Sequence, residues 1–256
     1  MKLQSESEDF FAHLHSQKRP WSAIKVTDSN ATIGSHSSLA RGLALRTLEV
    51  PVGDFIKEAT KKDLPINNNG LALLQSNIID EERHDLQLQY LFDDFEWVYY
   101  KKLTTNTLEK DNEIAKQFTD HVINDCDDHP LVKAAVLERS VFFVLLPLMR
   151  AYGSTSFKTV AADISNDEQI HVAVNTDIQH SLGATYSRKL NKARYDMVAW
   201  MTEDLNVEGD KGNQAFWLRQ STSLLKRSVA PGLEDTKRAR VTSFFEIDHR
   251  NLPTYY

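Results

Sequence analysis

The sequence predicts an all-α fold, and three observations carry that reading. Apolar residues recur at helical spacing over most of the chain. No stretch alternates apolar and polar residues regularly enough to supply a set of strands. Nine Gly and seven Pro in 256 residues are too few for a sheet protein with many tight turns.

The elements follow in order. Residues 1–36 show no assignable pattern and read as an N-terminal extension. The segment "SSLARGLALRTLEVPVGDFIKEATKK" (37–62) reads as one helix, capped by Ser37 or Ser38, with Pro51 opening or kinking it. The cluster "LPINNNG" (64–70) breaks the chain. A long helix is expected from about Leu71 to Leu103, and a shorter one around Glu109 to Asn124. After the break at "DCDDHP", an apolar helix runs from Leu131 to Tyr152. "GSTS" (153–156) ends it, and Ser156 caps the next helix, which stops at Leu182 before Gly183. Further helices are expected at Ala184 to Glu203 and Gln214 to Val229. The chain thus divides into 1–36, a main helical domain over 37–182, additional helices over 183–230, and a tail over 231–256.

Composition limits the function classes. Net charge is −6 and the isoelectric point about 5.9, so no general attraction to nucleic acid is expected. The basic run "TKRAR" (236–240) reads as a solvated surface. No apolar run approaches the ~20 residues of a membrane span. The opening "MKLQSESEDFF" lacks the basic-then-apolar order of a signal peptide. The lone Cys126 forms no internal disulfide and suits a reducing compartment. Together these lead us to expect a cytoplasmic protein.

Chemistry is concentrated in an internal echo. Glu49 precedes Glu81 and His84, and Glu138 precedes Glu168 and His171. The two Glu-to-Glu intervals are nearly equal, the first centred on Pro65 and the second on Gly153. Two residues equidistant from the turn of an antiparallel helix pair lie at one height. Here each would stand about 20 Å from its turn at ~1.5 Å of rise per residue. Two such hairpins packed together bring four Glu and two His to one level of a core. Within each Glu-x-x-His, the three-residue spacing puts both side chains on one helix face. One Glu from each of two helices and Glu-x-x-His from the others is the ligand set of a carboxylate-bridged dinuclear metal site. Four carboxylates would balance two divalent ions; without metal they would repel one another and suffer desolvation.

The neighbours of these Glu residues are those of buried positions. Ala134, Ala135, Val141 and Phe142 flank Glu138 at helical spacing, and Leu45 and Val52 flank Glu49. The rival first-helix ligand, Glu58, lies among Lys57, Lys61 and Lys62 and reads as solvent-facing. Asp80 and Asp167 each precede a paired Glu. They either accept the free imidazole N–H of the other hairpin's His or are ordinary surface residues. Arg83 would pair with a carboxylate of that outer layer.

At these residues the chain resembles the ferritin-like superfamily of diiron-carboxylate proteins. "DEERH" (80–84) looks like the Asp-Glu-x-Arg-His motif of bacterial multicomponent monooxygenases. "VLERSVFFVLLPL" (136–148) followed by "ISNDEQIH" (164–171) is similar to the ligand helices of the ribonucleotide reductase small subunit. The resemblance spans roughly Leu39 to Leu182. It implies a ferritin-like four-helix bundle with additional helices, holding two Fe ions or one Mn and one Fe, with dioxygen as a reactant.

One departure bears on function. In radical-generating subunits of that family a Tyr usually lies four residues after the first motif's His; here that position is Leu88, and Tyr90 falls on another face. Trp21 reads as a packing residue or as an electron-transfer aromatic. The tail "HRNLPTYY" (249–256), with Tyr255 and Tyr256, reads as a terminal strand, a disordered end, or a docking tail like that of reductase subunits. "YLFDDFEWVYY" (90–100) is expected to be core or the face of a homodimer.

The leading expectation is a dioxygen-activating dinuclear non-haem iron oxidoreductase, acting on a small molecule or a protein partner. A radical generator for a reductase, a ferroxidase for iron storage, and a metal-binding structural or assembly protein are the alternatives. Superfamily membership alone does not choose among them.

Overall fold

The structure, a computed structural model, describes residues 2–25, 41, 43–95, 105–140, 145–146, 149–150 and 155–201. Among these residues every regular element is helical, and no strand occurs. The α-helices are α1 (Lys2–Gln17), α2 (Glu49–Ala59), α3 (Asn68–Phe95), α4 (Thr105–Asn124), α5 (Pro130–Ser140), α6 (Thr155–Leu182) and α7 (Arg188–Met201). A 3-10 turn, Leu45–Leu48, leads into α2. No described helix is long and apolar enough to cross a membrane.

Local chemistry explains most boundaries. The single helix expected over 37–62 is instead divided before Glu49. Pro51 has no N–H to give to the carbonyl of Thr47, so the α-helical ladder cannot run through it. The backbone tightens first, with the Glu49 N–H bonded to the Arg46 carbonyl. Helix α3 begins at Asn68 rather than Leu71 because the Asn67 side chain accepts the Gly70 N–H at 2.8 Å. Pro130 opens α5, where a missing N–H costs nothing. Helix α6 ends at Leu182 as the sequence predicts: Gly183 takes φ +59, and the Ala184 N–H returns to the Gln179 carbonyl at 3.2 Å. Ser187 caps α7 by accepting the Leu190 N–H at 3.0 Å, and Asp128 anchors Ser187 in turn.

Four helices pack around a shared interior. Helix α2 lies against α3 and α5, and α6 lies against the same two helices. Val52, Ile56, Leu73, Leu74, Leu88, Leu137, Ile164 and Ile178 fill the space between them and are fully buried. Burying each such side chain contributes roughly 1.5–3 kcal/mol. Helix α4 packs on the 3-10 turn and α7, and α7 also touches α5.

Helix α1 was not expected from the sequence. Phe11 and Leu14, three residues apart, are buried, and the helix lies across α3 and α6. The non-helical stretch after it, residues 18–25, then runs beside α3. The expected helix at 214–229, the basic run 236–240, the tail 231–256, residues 96–100 of the aromatic cluster, and Val141 and Phe142 lie outside the described residues. Within the cluster, Leu91 and Phe92 are buried and Tyr90 is half-buried.

Candidate metal centre

The four packed helices bring Glu49, Glu81, His84, Glu138, Glu168 and His171 to one place. Glu49 is the first residue of α2, Glu138 stands near the end of α5, and the two Glu-x-x-His pairs lie in mid-α3 and mid-α6. None of the six is more than 1% exposed. Charged side chains are almost never buried so deeply unless they are paired or hold a metal.

The imidazoles face inward through Nδ1. His84 Nδ1 lies 3.2 Å from Glu168, 3.7 Å from Glu81 and 3.8 Å from Glu49. His171 Nδ1 lies 2.8 Å from Glu81, 3.7 Å from Glu168 and 3.9 Å from Glu138. Two sets of ligand atoms are each compact enough to hold an ion: Glu49, Glu81, His84 and Glu168 in one, Glu81, Glu138 and His171 in the other. Glu81 belongs to both sets. Glu58, by contrast, is exposed and pairs with Lys62.

An outer layer fixes the two rings. His171 Nε2 lies 3.1 Å from Asp80 Oδ2, and His84 Nε2 lies 3.3 Å from Asp167 Oδ2. An ionised carboxylate can only accept, so the shared proton sits on Nε2 and Nδ1 is the atom turned to the centre. Arg83 ties the two halves together, pairing with Asp80 and, at 2.9 Å, with Asp167.

Residues 18–24 complete this layer from a segment in which the sequence singles out only Trp21. Lys18 pairs with Asp80 and donates to Ser76 at 2.6 Å. Trp21 donates its indole N–H to Asp167 at 2.7 Å and stacks on the His84 ring at 6.0 Å. The Arg83 guanidinium lies over the Trp21 ring, 4.7 Å from its centroid. Gln87 clamps the Ile24 backbone with two hydrogen bonds. Asn175, one turn beyond His171, donates to Glu138.

The electrostatics are those of crowded buried charge. Burial, helped by Glu81 and Glu168 against the pull of His84, pushes the Glu49 carboxyl well above its ordinary range. Burial with Glu168 and Glu81 lifts Glu138 to about 8, and burial with Glu81 lifts Glu168. For Glu81, burial is outweighed by His171 and His84, which hold it below the usual carboxylate range. Burial opposes protonation of both imidazoles. Even so, Asp167, Glu168 and the other acids raise His84, and Glu81, Asp80 and Glu168 carry His171 to about 10. Asp80, hydrogen-bonded by His171 and Lys18, falls to about 2 despite its own burial, and Asp167 is likewise lowered by His84 and Trp21.

The residues present fit a metal. Glu49 Oε1, both oxygens of Glu81 and of Glu168, Glu138 Oε1, and Nδ1 of His84 and His171 are buried with no hydrogen-bond partner. Leaving one such atom unpaired costs about 1–3 kcal/mol. All six residues of the cluster contribute such an atom, each turned to the centre, while the outward atoms of both imidazoles are paired. A bound metal would satisfy them together, so these buried Glu and His groups can hold a metal ion. The chain matches no family model, no curated protein and no solved structure.

Proposed function

We propose that the chain is a ferritin-like four-helix bundle with additional helices that holds two iron ions and uses dioxygen to oxidise a substrate. The observation that carries this reading is the set of orphaned inward-facing oxygen and nitrogen atoms, drawn from four helices and backed by two carboxylate–imidazole pairs. Glu81, common to both ligand sets, would serve both ions, and Glu168 would join Glu49 and His84 in the larger set. Glu49 with His84 and Glu138 with His171 would be terminal ligands.

Two bound ferrous ions would supply electrons to dioxygen. The chain's own residues do the rest. Asp80 and Asp167 hold the Nε2 protons, so that each imidazole presents Nδ1 at a fixed angle. Leu88, Leu91, Val52 and Ile164, all buried, line the surrounding core and keep bulk water from reactive species. The carboxylates together offset the charge of two divalent ions.

The reading is tested by loading purified protein with ferrous iron without oxygen and then admitting air. About two irons per chain, oxygen uptake, and an oxo-bridged ferric absorption band are expected. Metal-free protein after loading, or bound iron indifferent to oxygen, would leave a structural protein as the better account.

A second reading, a radical generator, is favoured by one contact. The oxygen of Asp167 that faces His84 also accepts the Trp21 indole N–H, so a redox-active aromatic is hydrogen-bonded to the ligand layer. Leu88 is fully buried where the family's radical Tyr usually stands, which makes Trp21 the aromatic to examine. A transient tryptophan radical after oxygen exposure, absent in Trp21→Phe, would select this reading.

A further inference from the structure

The two ends of the ligand layer differ in chemistry. Helices α3 and α6 run antiparallel through it, because Glu81 faces His171 while His84 faces Glu168. One turn before Glu81 on α3 stands Asn77, and one turn after His171 on α6 stands Asn175. In the antiparallel register both fall at the same end of the layer, each about 6 Å along its helix from the Glu81–His171 pair. At the other end, Leu88 and Ile164 occupy the corresponding positions. All four are completely buried.

The polar end is only partly satisfied. Asn175 Nδ2 donates to Glu138, but its Oδ1 has no partner, and neither Oδ1 nor Nδ2 of Asn77 has one. Buried amides are nearly always hydrogen-bonded, and a group left unpaired destabilises the fold. Packing does not require an amide at Asn77; the equivalent position on α6 is Ile164. The same end carries the smaller ligand set, Glu81, Glu138 and His171, against four residues in the other. A metal with three protein ligands keeps a coordination position for a ligand from outside.

We propose that Asn77 and Asn175 form a hydrogen-bonding subsite for a small oxygen- or nitrogen-donor ligand, of the class of water, hydroxide or a small anion. That ligand takes the open position of the ion held by Glu81, Glu138 and His171. Asn77 Nδ2 donates to the incoming ligand, and the two amide oxygens accept hydrogen bonds from it when it carries a proton. The apolar end, under Leu88 and Ile164, holds no such ligand. This inference rests on the dinuclear metal reading and adds to it where exogenous ligands bind and what selects them.

Azide is the probe, because its binding to ferric iron gives a charge-transfer band independent of turnover. The full chain, iron-loaded and oxidised, is titrated with azide alongside Asn77→Leu, Asn77→Ser and, as a control away from the centre, Glu58→Ala. Asn77→Leu is expected to weaken azide about tenfold with iron content unchanged, the effect of one lost hydrogen bond. Asn77→Ser keeps a donor and should retain most of the affinity; Glu58→Ala, at an exposed position away from the centre, should leave it as it was. A structure of the azide complex should place the probe within hydrogen-bond reach of Asn77, a readout that survives if a variant fails to fold. Equal azide affinity in Asn77→Leu and the parent, or azide found beside Leu88, overturns the subsite while leaving the metal centre standing. If the parent binds no iron, subsite and metal reading fall together.

Discussion

Trp21 donates its indole N–H to Asp167 at 2.7 Å, across most of the described chain, and the same carboxylate oxygen faces His84 Nε2 at 3.3 Å. Lys18 does the equivalent for Asp80, which faces His171. One short non-helical segment therefore sets the orientation of both imidazoles through their carboxylates. It is held in place by α1 on one side and by the Gln87 clamp on Ile24 on the other.

Removing the carboxylate that orients a ligand should weaken metal without removing a ligand. Asp167→Asn is expected to lower metal affinity roughly 10–100-fold, with the amide free to present the wrong hydrogen-bonding atom to His84. Trp21→Phe keeps an aromatic ring at that position while removing the indole N–H, so a smaller loss is expected, about 1 kcal/mol. Competition with a chelator of known affinity measures both. Equal affinities in parent and Asp167→Asn would show that the outer carboxylates do not orient the ligands.

The inner cluster was legible and the segment that braces it was not, for a physical reason. Glu81 with His84 and Glu168 with His171 are local pairs, and helical periodicity alone puts each on one face. Glu49 and Glu138 follow from the symmetry of the intervals, since two breakers of known position fix which residues return to one height. Asp80 and Asp167 adjoin those residues in sequence. Lys18 and Trp21 have no such tie: they reach the centre only because Phe11 and Leu14 seat α1 on α3 and α6. A segment with two buried anchors gives too weak a periodic signal to predict that docking. Asn175 was within reach of the spacing argument, one turn past His171. Its meaning, however, depends on Glu138 from another helix. The break before Glu49 was visible in Pro51, although the tightening into a 3-10 turn was not.

The choice between Glu49 and Glu58 gives a sharp pair of variants. Glu49 is buried beside His84, while Glu58 is exposed one turn from Lys62. Glu49→Ala should reduce metal content to about one ion per chain, by removing a terminal ligand from its set. Glu58→Ala loses an exposed pair worth a few tenths of a kcal/mol and should bind metal as the parent does. Elemental analysis after gel filtration reads both, and a metal loss in Glu58→Ala would reverse the assignment.

Acidity should act in opposite directions on folding and on metal binding. In metal-stripped protein His171 titrates at about 10 against an ordinary 6.5, burial being overcome by Glu81, Asp80 and Glu168. A raised folded value contributes stability in full below 6.5 and loses it as pH climbs through about 10. Glu138, lifted from 4.5 to about 8 chiefly by burial, has the same sign and loses its contribution between those values. Asp80 has the opposite sign: its contribution is full above 3.8 and is lost as pH falls through about 2. The stripped protein should therefore melt at progressively lower temperature from about pH 7 to about pH 9.5. Over the same interval metal affinity should rise, because the proton on the His171 ring must leave before Nδ1 can bind. Thermal melts and metal titrations in the same buffers check both slopes; a flat melting temperature across that interval would contradict the protonated cluster.

Glu138→Gln separates the cost of the buried charge from its use. The amide keeps an oxygen for the Asn175 N–H and removes only the carboxyl's ability to ionise. In stripped protein at about pH 6 the native carboxyl is already protonated, since its folded value is raised to about 8. The variant should then fold about as stably as the parent. Near pH 9.5 the parent carries a buried anion beside Glu168 and Glu81, and the variant should be more stable by about 1–3 kcal/mol. With metal the order inverts. The set formed by Glu81, Glu138 and His171 loses a ligand, so the variant should retain about one ion and gain less stability on loading than the parent. A site selected for metal rather than for folding has this signature: a substitution that helps the empty chain and harms the loaded one. Denaturant unfolding at both pH values, with and without metal, supplies the four numbers. If Glu138→Gln destabilised the stripped protein at high pH, the carboxylate would be a structural partner in the core, and the centre's claim to two ions would fail on that side.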